Sequence, residues 1–200
     1  MSNKHTTSLR GFKDILPEDL YYYYLIEKEL KNITKSYSIN ELRTPILEST
    51  IVFDKSLGSQ TDIITKEMYV FSDKNGESVC LRPEGTSSIV RSVIENNLIY
   101  DRGIKKRKYW YYGPMFRYER PQKGRLRQFN QFGIEYFGFS GITSEVELII
   151  FINKLFNALN VDKYQLHINS IGNQDDRYRY SSKIKGIMND NISVLTDGEK

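Results

Sequence analysis

Apolar positions along the chain switch between a helical period and a strand period, and the switches delimit the predicted elements. After an arm at Leu9–Leu16, Pro17-Glu18-Asp19 supplies the proline and acidic first turn that favour a helix start. Leu20, Tyr23, Ile26 or Glu27, Leu30 and Ile33 follow at helical spacing, predicting a helix to about Lys35 with Glu27, Lys28, Glu29 and Lys31 on its polar face. Glu41–Pro45 with Ile46 reads as a strand that ends at a proline, which places it at an edge or a subunit boundary because proline cannot donate to a ladder. A short helix is expected around Ser49–Leu57, with Gly58 as its stop. Met68–Phe71 and Ser78–Arg82 are strand-like runs joined by a turn at Asn75-Gly76, a dipeptide that tolerates positive φ. The second run delivers the chain to Arg82-Pro83-Glu84-Gly85-Thr86, where Thr86 or Ser87 can cap a helix with the stripe Ile89, Val90, Val93, Ile94 and Leu98.

The clearest period-two pattern begins at Tyr109–Tyr112 and runs through Met115–Tyr136 as strand, loop, strand. Arg117 and Glu119 fall on one face, Phe116 and Tyr118 on the other. In the second arm Phe129, Gln131, Gly133 and Glu135 share a face, while Phe132, Ile134 and Tyr136 point oppositely toward an apolar layer. A polar face on an otherwise apolar sheet is either solvated or a binding surface. Gly138–Gly141 then reads as a turn, and Thr143-Ser144-Glu145 opens a helix whose Val146, Ile149, Ile150, Leu155 and Phe156 are expected to be mostly buried. Tyr164–Ile168 reads as a strand ending in Asn169-Ser170-Ile171-Gly172, Tyr178–Met188 as a polar helix, and Asp190–Lys200 as a connection. The fold class is α+β, an antiparallel sheet flanked by helices.

Composition narrows the function classes. Two hundred residues, 39% hydrophobic and 27% charged, suffice for one sizeable core. The longest apolar run, Leu148–Ile152, is far short of the roughly 20 residues that cross a bilayer, so no membrane partner is expected. The segment before Asp14 has no apolar stretch of the secretory kind, and the lone Cys80 fits a reducing compartment, so a cytoplasmic location is expected. His5 and His167 are isolated, so no zinc or other protein-held metal is expected. A formal charge of +4 permits a nucleic-acid partner without requiring one, and Lys105–Lys108 reads as a solvated basic run.

Candidate chemistry gathers in the loop between the two arms. Arg120, Lys123, Arg125 and Arg127 stand around Pro121 and Gly124 with no acid inside the loop. Guanidinium groups match phosphate oxygens bidentately, so this loop beside Arg117 suits a polyphosphate. The neighbouring Glu and Gln side chains suit an ammonium or amide instead. The turn at Arg82–Thr86 lies at a strand end and a helix start, where Glu84 is either a ligand group or a first-turn carboxylate favoured by the helix dipole.

Together these stretches resemble the catalytic domain of the class II aminoacyl-tRNA synthetases, most closely the histidyl-tRNA synthetase family. Arg10-Gly11-Phe12-Lys13-Asp14-Ile15-Leu16-Pro17 resembles that family's N-terminal signature, and the first helix with the strand ending at Pro45 resembles the dimer-forming motif 1. Lys66-Glu67-Met68-Tyr69, Leu81–Thr86, Gly113–Glu135 with motif 2, and Asn169-Ser170-Ile171-Gly172 follow in order. Asn130 departs from the histidine common in the family, on the face opposite Gln131. The resemblance implies ATP-dependent activation of histidine to an adenylate and transfer to tRNA(His), with Mg2+ carried on the ATP phosphates. It implies that Arg117 is the catalytic α-phosphate arginine, that Glu119, Arg125 and Phe129 contact ATP, and that Glu84, Thr86, Gln131 and Glu135 bind histidine. It further implies a homodimer through motif 1. No stretch resembles the family's histidine-specific segment, motif 3 or anticodon-binding domain. The chain is therefore expected to be an N-terminal half, with residues 1–172 a catalytic-core portion whose sheet is incomplete on its C-terminal side and 173–200 the start of a connection or helical segment. Two other readings share this fold: the non-catalytic regulatory subunit of ATP phosphoribosyltransferase, in which the arginine, basic loop or turn would be eroded, and an inactive truncated fragment.

Overall fold

The computed structural model describes residues 6–57, 66–99, 106–120, 122, 124–169 and 172–192. The chain divides into two compact units, Met1–Asp162 and Lys163–Lys200.

The first unit is built on two sheets. β5 (Arg107–Phe116) and β6 (Gln128–Phe137) pair antiparallel over their whole length, from Arg107 opposite Phe137 to Phe116 opposite Gln128. The two-residue β1 (Asn40–Glu41) lies parallel against β5, opposite Tyr109 and Trp110. In the second sheet β4 (Ser78–Leu81) is central, with β2 (Leu47–Ser49) and β3 (Tyr69–Ser72) antiparallel on either side. The β3–β4 turn follows the expected Asn-Gly chemistry: Gly76 takes φ +85°, and Asp73 Oδ1 accepts from the amides of Asn75 and Glu77.

Alternation along β5 and β6 sends side chains into two separate cores. Trp110, Tyr112, Phe132, Ile134 and Tyr136 pack with Leu30 and Ile33 of α1 (Pro17–Ser36), Phe151 and Leu155 of α4 (Ile142–Ala158), and Ile39 just after α1. Phe132 stacks on Phe151 with centroids 5.9 Å apart. The opposite face carries Tyr109, Tyr111, Met115, Phe129 and Phe137, covered by Ile89 and Val93 of α3 (Thr86–Glu95). Each such side chain contributes about 1.5–3 kcal/mol on leaving water. The sheet floor is thereby held rigid from both sides.

Several elements depart from the periodicity. The strand expected at Glu41–Pro45 pairs only at Asn40–Glu41, with one more bond from the Leu42 amide to Trp110 O at 2.9 Å. The chain then leaves β5, and the Arg82 guanidinium donates to Thr44 O (2.8 Å) and Pro45 O (3.5 Å) in place of a ladder partner. Leu47–Ser49 is a strand and α2 (Thr50–Leu57) begins after it; Gly58 lies outside the described residues. In α4 Val146 and Ile150 are exposed, while Phe151 and Leu155 are buried. The helix buries the narrow i, i+4 stripe that meets α1 and β6, and the flanking apolar positions stay outside. Ile94 of α3 is exposed for the same reason, one residue past the Ile89–Val93 stripe. Lys108 belongs to β5 and pairs with Glu147, so it is no part of a solvated run.

In the second unit the strand expected at Tyr164–Ile168 is absent among the described residues, since an extended segment counts as a strand only with a ladder partner. α5 (Gln174–Asp190) is capped reciprocally: Asn173 accepts from the Asp176 amide, and Asp176 accepts from the Asn173 amide. No helix among the described residues is long and apolar enough to cross a membrane.

Candidate functional site

The site is laid out on the α3-facing side of β5 and β6. Register places Glu135 opposite Tyr109, Gly133 opposite Tyr111, Gln131 opposite Gly113 and Phe129 opposite Met115. The shared face expected for Phe129, Gln131, Gly133 and Glu135 is thus realised, with the Arg82–Thr86 turn packed over it.

Glu84 is buried and caps α3. Its carboxylate accepts from the Thr86 amide at 2.5 Å and the Ser87 amide at 2.9 Å, satisfying two of the donors that a helix start leaves unpaired. Neither Thr86 nor Ser87 is the N-cap, which is Gly85. The Thr86 hydroxyl is thereby released from capping and donates to Glu135 Oε1 at 2.6 Å. Burial pushes the Glu135 carboxyl above its ordinary range, the Thr86 bond pulls it down, and the Glu84 charge adds to the rise.

Arg117 lies one residue beyond β5, its amide still bonded to Arg127 O at 2.9 Å. Its Nε donates to Pro83 O at 2.9 Å and its guanidinium stands 5.2 Å from the Phe129 ring centroid. One of five N–H donors therefore ties the cation to the Glu84 turn. Alternation stops there: the Glu119 amide bonds back to Arg117 O at 2.8 Å, a tight turn in which strand parity no longer decides facing.

The basic loop is less uniformly cationic than its composition suggests. Glu119, just before it, pairs with Arg125 at 3.3 Å. Arg127 is structural: its amide donates to Gly11 O at 2.7 Å, its Nε to Glu119 O at 3.1 Å, and its guanidinium lies 3.7 Å from the Tyr118 centroid. It fastens the N-terminal arm to the hairpin. Pro121 and Lys123 lie outside the described residues.

Gln131 supplies the clearest polarity mismatch, since its Oε1 is buried without a hydrogen-bond partner. Leaving such an acceptor unpaired costs about 1–3 kcal/mol, so a site of this kind awaits a donor. Among the described residues no group of three or more His, Cys, Asp or Glu could hold a metal ion.

Two residues outside the expected site organise it. Buried Arg82 donates to Pro114 O at 3.0 Å and to Thr44 O and Oγ1, joining the turn to β5 and to the segment after β1. Tyr111, also buried, lies against both Gly85 and Gly133: a Cβ on either glycine would come within 2.1 Å or 2.3 Å of its ring. A mid-strand glycine facing an aromatic marks a close approach, and that pairing of Gly133 with Tyr111 was the readable signal.

A two-sided sheet floor, a strand-loop-strand arginine and a capped turn above them make the catalytic-domain architecture of a class II aminoacyl-tRNA synthetase. The family model described as histidyl-tRNA synthetase matches residues 11–173, and the chain belongs to that family. It is 45% identical over 199 residues to a histidine–tRNA ligase of Buchnera aphidicola subsp. Schizaphis graminum, covering 99% of this chain and 46% of the relative. A histidine–tRNA ligase of Fervidobacterium nodosum is 46% identical over 189 residues, covering 94% and 44%. The crystal structure of apo S. aureus histidyl-tRNA synthetase superimposes with a TM-score of 0.72 at 33% identity, covering 96% of this chain and 45% of that one. A structure titled as an ATP phosphoribosyltransferase regulatory subunit/histidyl-tRNA synthetase from Bacillus halodurans C shares the fold, with a TM-score of 0.67 at 19% identity over 81% and 40% of the two chains. The chain spans less than half the length of the curated relatives it matches.

Proposed function

We propose that the chain is the ATP- and histidine-binding portion of a histidine–tRNA ligase, which activates histidine as an adenylate and transfers it to tRNA(His). The observation that carries this reading is the conjunction of Arg117, tethered to Pro83, with the Thr86–Glu135 pair and the unpartnered Gln131 oxygen around one face of the sheet. A cation on one side and acceptors on the other suit a ligand with a phosphate end and an ammonium end.

In the activation step a histidine carboxylate oxygen attacks the α-phosphorus and pyrophosphate leaves. Arg117 stabilises the charge that develops on the α-phosphate, and fixed donors of this kind cost no reorganisation in the transition state. Arg125 and Glu119 contact the nucleotide, and Phe129 stacks on its base. Glu84, Thr86, Gln131 and Glu135 hold the amino acid, Gln131 by accepting an N–H from it. Positioning and electrostatics carry the rate, with no protein nucleophile and with Mg2+ entering as part of the MgATP substrate. The protein acts in the cytoplasm as a homodimer through α1 and β1. The exposed Tyr21, Tyr22 and Tyr24 on α1 support that assembly, since clustered apolar surface marks an interface. Retention of Arg117, the Arg82–Thr86 turn and Gln131 favours the ligase over a regulatory subunit.

The test is histidine-dependent ATP–pyrophosphate exchange by the full-length gene product. Arg117→Ala is expected to lower exchange by roughly a hundredfold or more. A loss of only a few-fold would remove the α-phosphate role.

A further inference from the structure

The β5–β6 ladder ends just before the turn that carries Arg117. Its last pair is Phe116 opposite Gln128, and beyond it the Arg117 amide still donates to Arg127 O at 2.9 Å. The Tyr118 amide then turns away to Glu67 O at 2.7 Å, and the Glu119 amide folds back on Arg117 O at 2.8 Å. The Arg127 side chain braces this turn from outside. Its Nε donates to Glu119 O at 3.1 Å and its guanidinium lies 3.7 Å from the Tyr118 ring centroid, so one side chain spans both residues that follow Arg117. Arg127 is fixed in its turn by the N-terminal arm, its amide donating to Gly11 O at 2.7 Å and its Nη1 to Arg10 O at 3.5 Å. Gly11 takes φ +87°, and a Cβ there would stand 2.7 Å from Arg127 Cγ and 2.8 Å from Cδ, so the bare arm backbone lies against the arginine stem and sets its course. Phe12 extends the contact edge-on to Tyr69, which is itself edge-on to Tyr118 with centroids 5.5 Å apart.

We propose that the N-terminal arm is a working part of the nucleotide site without a ligand contact of its own: Gly11 fixes Arg127, and Arg127 is a positioning residue that holds the Arg117–Glu119 turn in the geometry the α-phosphate requires. This inference rests on the ATP-binding role proposed above for Arg117 and Glu119. It takes Arg127 out of the loop cations that suit a polyphosphate, because its fork is spent on Glu119 O, Arg10 O and the face of Tyr118. A planar guanidinium reaches all three together, whereas an ammonium is a point charge and cannot span them. Arg117 needs the support. Its Nε bond to Pro83 O fixes the side chain, but its backbone lies beyond the ladder, and displacing a group in such a site by about 1 Å costs on the order of a hundredfold in rate.

Arg127→Lys keeps the charge and loses the fork. In the full-length product it is expected to raise the ATP KM of histidine-dependent ATP–pyrophosphate exchange about tenfold while leaving the histidine KM unchanged. Arg127→Met, which loses the charge as well, is expected to do the same and no more. Gly11→Ala should raise the ATP KM likewise, and adding it to Arg127→Lys should bring no further loss, since residues that act through one another are not additive. In the chain itself, amide hydrogen exchange at Arg117 and Glu119 is expected to quicken about tenfold in Arg127→Lys, with Tyr109–Tyr111 of β5 unchanged. An unchanged ATP KM in Arg127→Lys would overturn the proposal, and a raised one in Arg127→Met beside it would mark Arg127 as a phosphate contact instead. Equal rises in both KM values, additive losses with Gly11→Ala, or unchanged amide exchange at the turn would overturn it too. Should Gly11→Ala fail to fold, the two Arg127 variants and the amide exchange decide alone. Failure of the underlying reading has a separate signature: amide exchange at the turn quickens in Arg127→Lys, yet Arg117→Ala leaves the ATP–pyrophosphate reaction as it was.

Discussion

Arg82 shows how a residue of the turn beside the candidate site can serve the fold. Its guanidinium spreads over acceptors from Pro114 and Thr44, and burial lowers its pKa. Lysine offers a point charge in place of that fork, so Arg82→Lys is expected to cost about 2–3 kcal/mol through carbonyls left unpaired. The urea-unfolding midpoint reads that loss, and an unchanged midpoint would mean that the fork is dispensable. Gly133→Ala tests the opposite contact. A methyl group within 2.3 Å of the Tyr111 ring cannot be accommodated without displacing the ring, and a loss of about 1–3 kcal/mol is expected by the same assay. Of the two readings open for Glu84 from sequence, the structure shows the first-turn carboxylate, and its capping bonds to Thr86 and Ser87 leave the threonine hydroxyl for Glu135.

Among the elements, legibility followed the number of independent signals. α1 was readable because Pro17, the acidic first turn and the apolar stripe agreed, and the β3–β4 hairpin because Asn75-Gly76 has few other uses. Parity along β6 assigned Phe129, Gln131, Gly133 and Glu135 to one face correctly, since a ladder enforces alternation. The same rule lost force at Glu119, where the backbone turns, and after Leu42, where Arg82 from another sheet claims the carbonyls. Long-range acceptors of that kind leave no local trace. The attachment of α4 to β5 and β6 was equally hidden: Glu147 accepts from both Lys108 Nζ and the Tyr136 hydroxyl, and Lys108 sits 4.8 Å from the Tyr136 ring centroid. Those two donors hold the Glu147 carboxyl below its ordinary range. A depressed carboxyl contributes stability while ionised and loses it as pH falls from the unfolded value of about 4.3 through the lower folded one. Thermal melts are therefore expected to drop between pH 5 and about 3 by more in the wild type than in Glu147→Gln, and equal drops would show that the pair adds nothing.

At the scale of the whole chain, Met1–Asp162 holds both hydrophobic clusters, whereas every described residue of Lys163–Lys200 is exposed. A unit of fewer than about 40 residues without a core lacks the burial needed to offset chain entropy. What holds α5 is local: the reciprocal Asn173–Asp176 cap and the intrahelical bonds of 17 residues. Caps contribute about 1 kcal/mol, and isolated helices of this length are marginal in water. Amide hydrogen exchange of the 200-residue chain is therefore expected to run orders of magnitude faster in α5 than in β5 and β6, whose ladder bonds lie between two packed layers. Asn173→Ala should accelerate exchange in α5 further and leave the two strands untouched. Strong protection of α5 in the wild type would contradict this account, because its end caps and intrahelical bonds alone cannot supply it while Tyr180, Ile184 and Ile187 stay exposed.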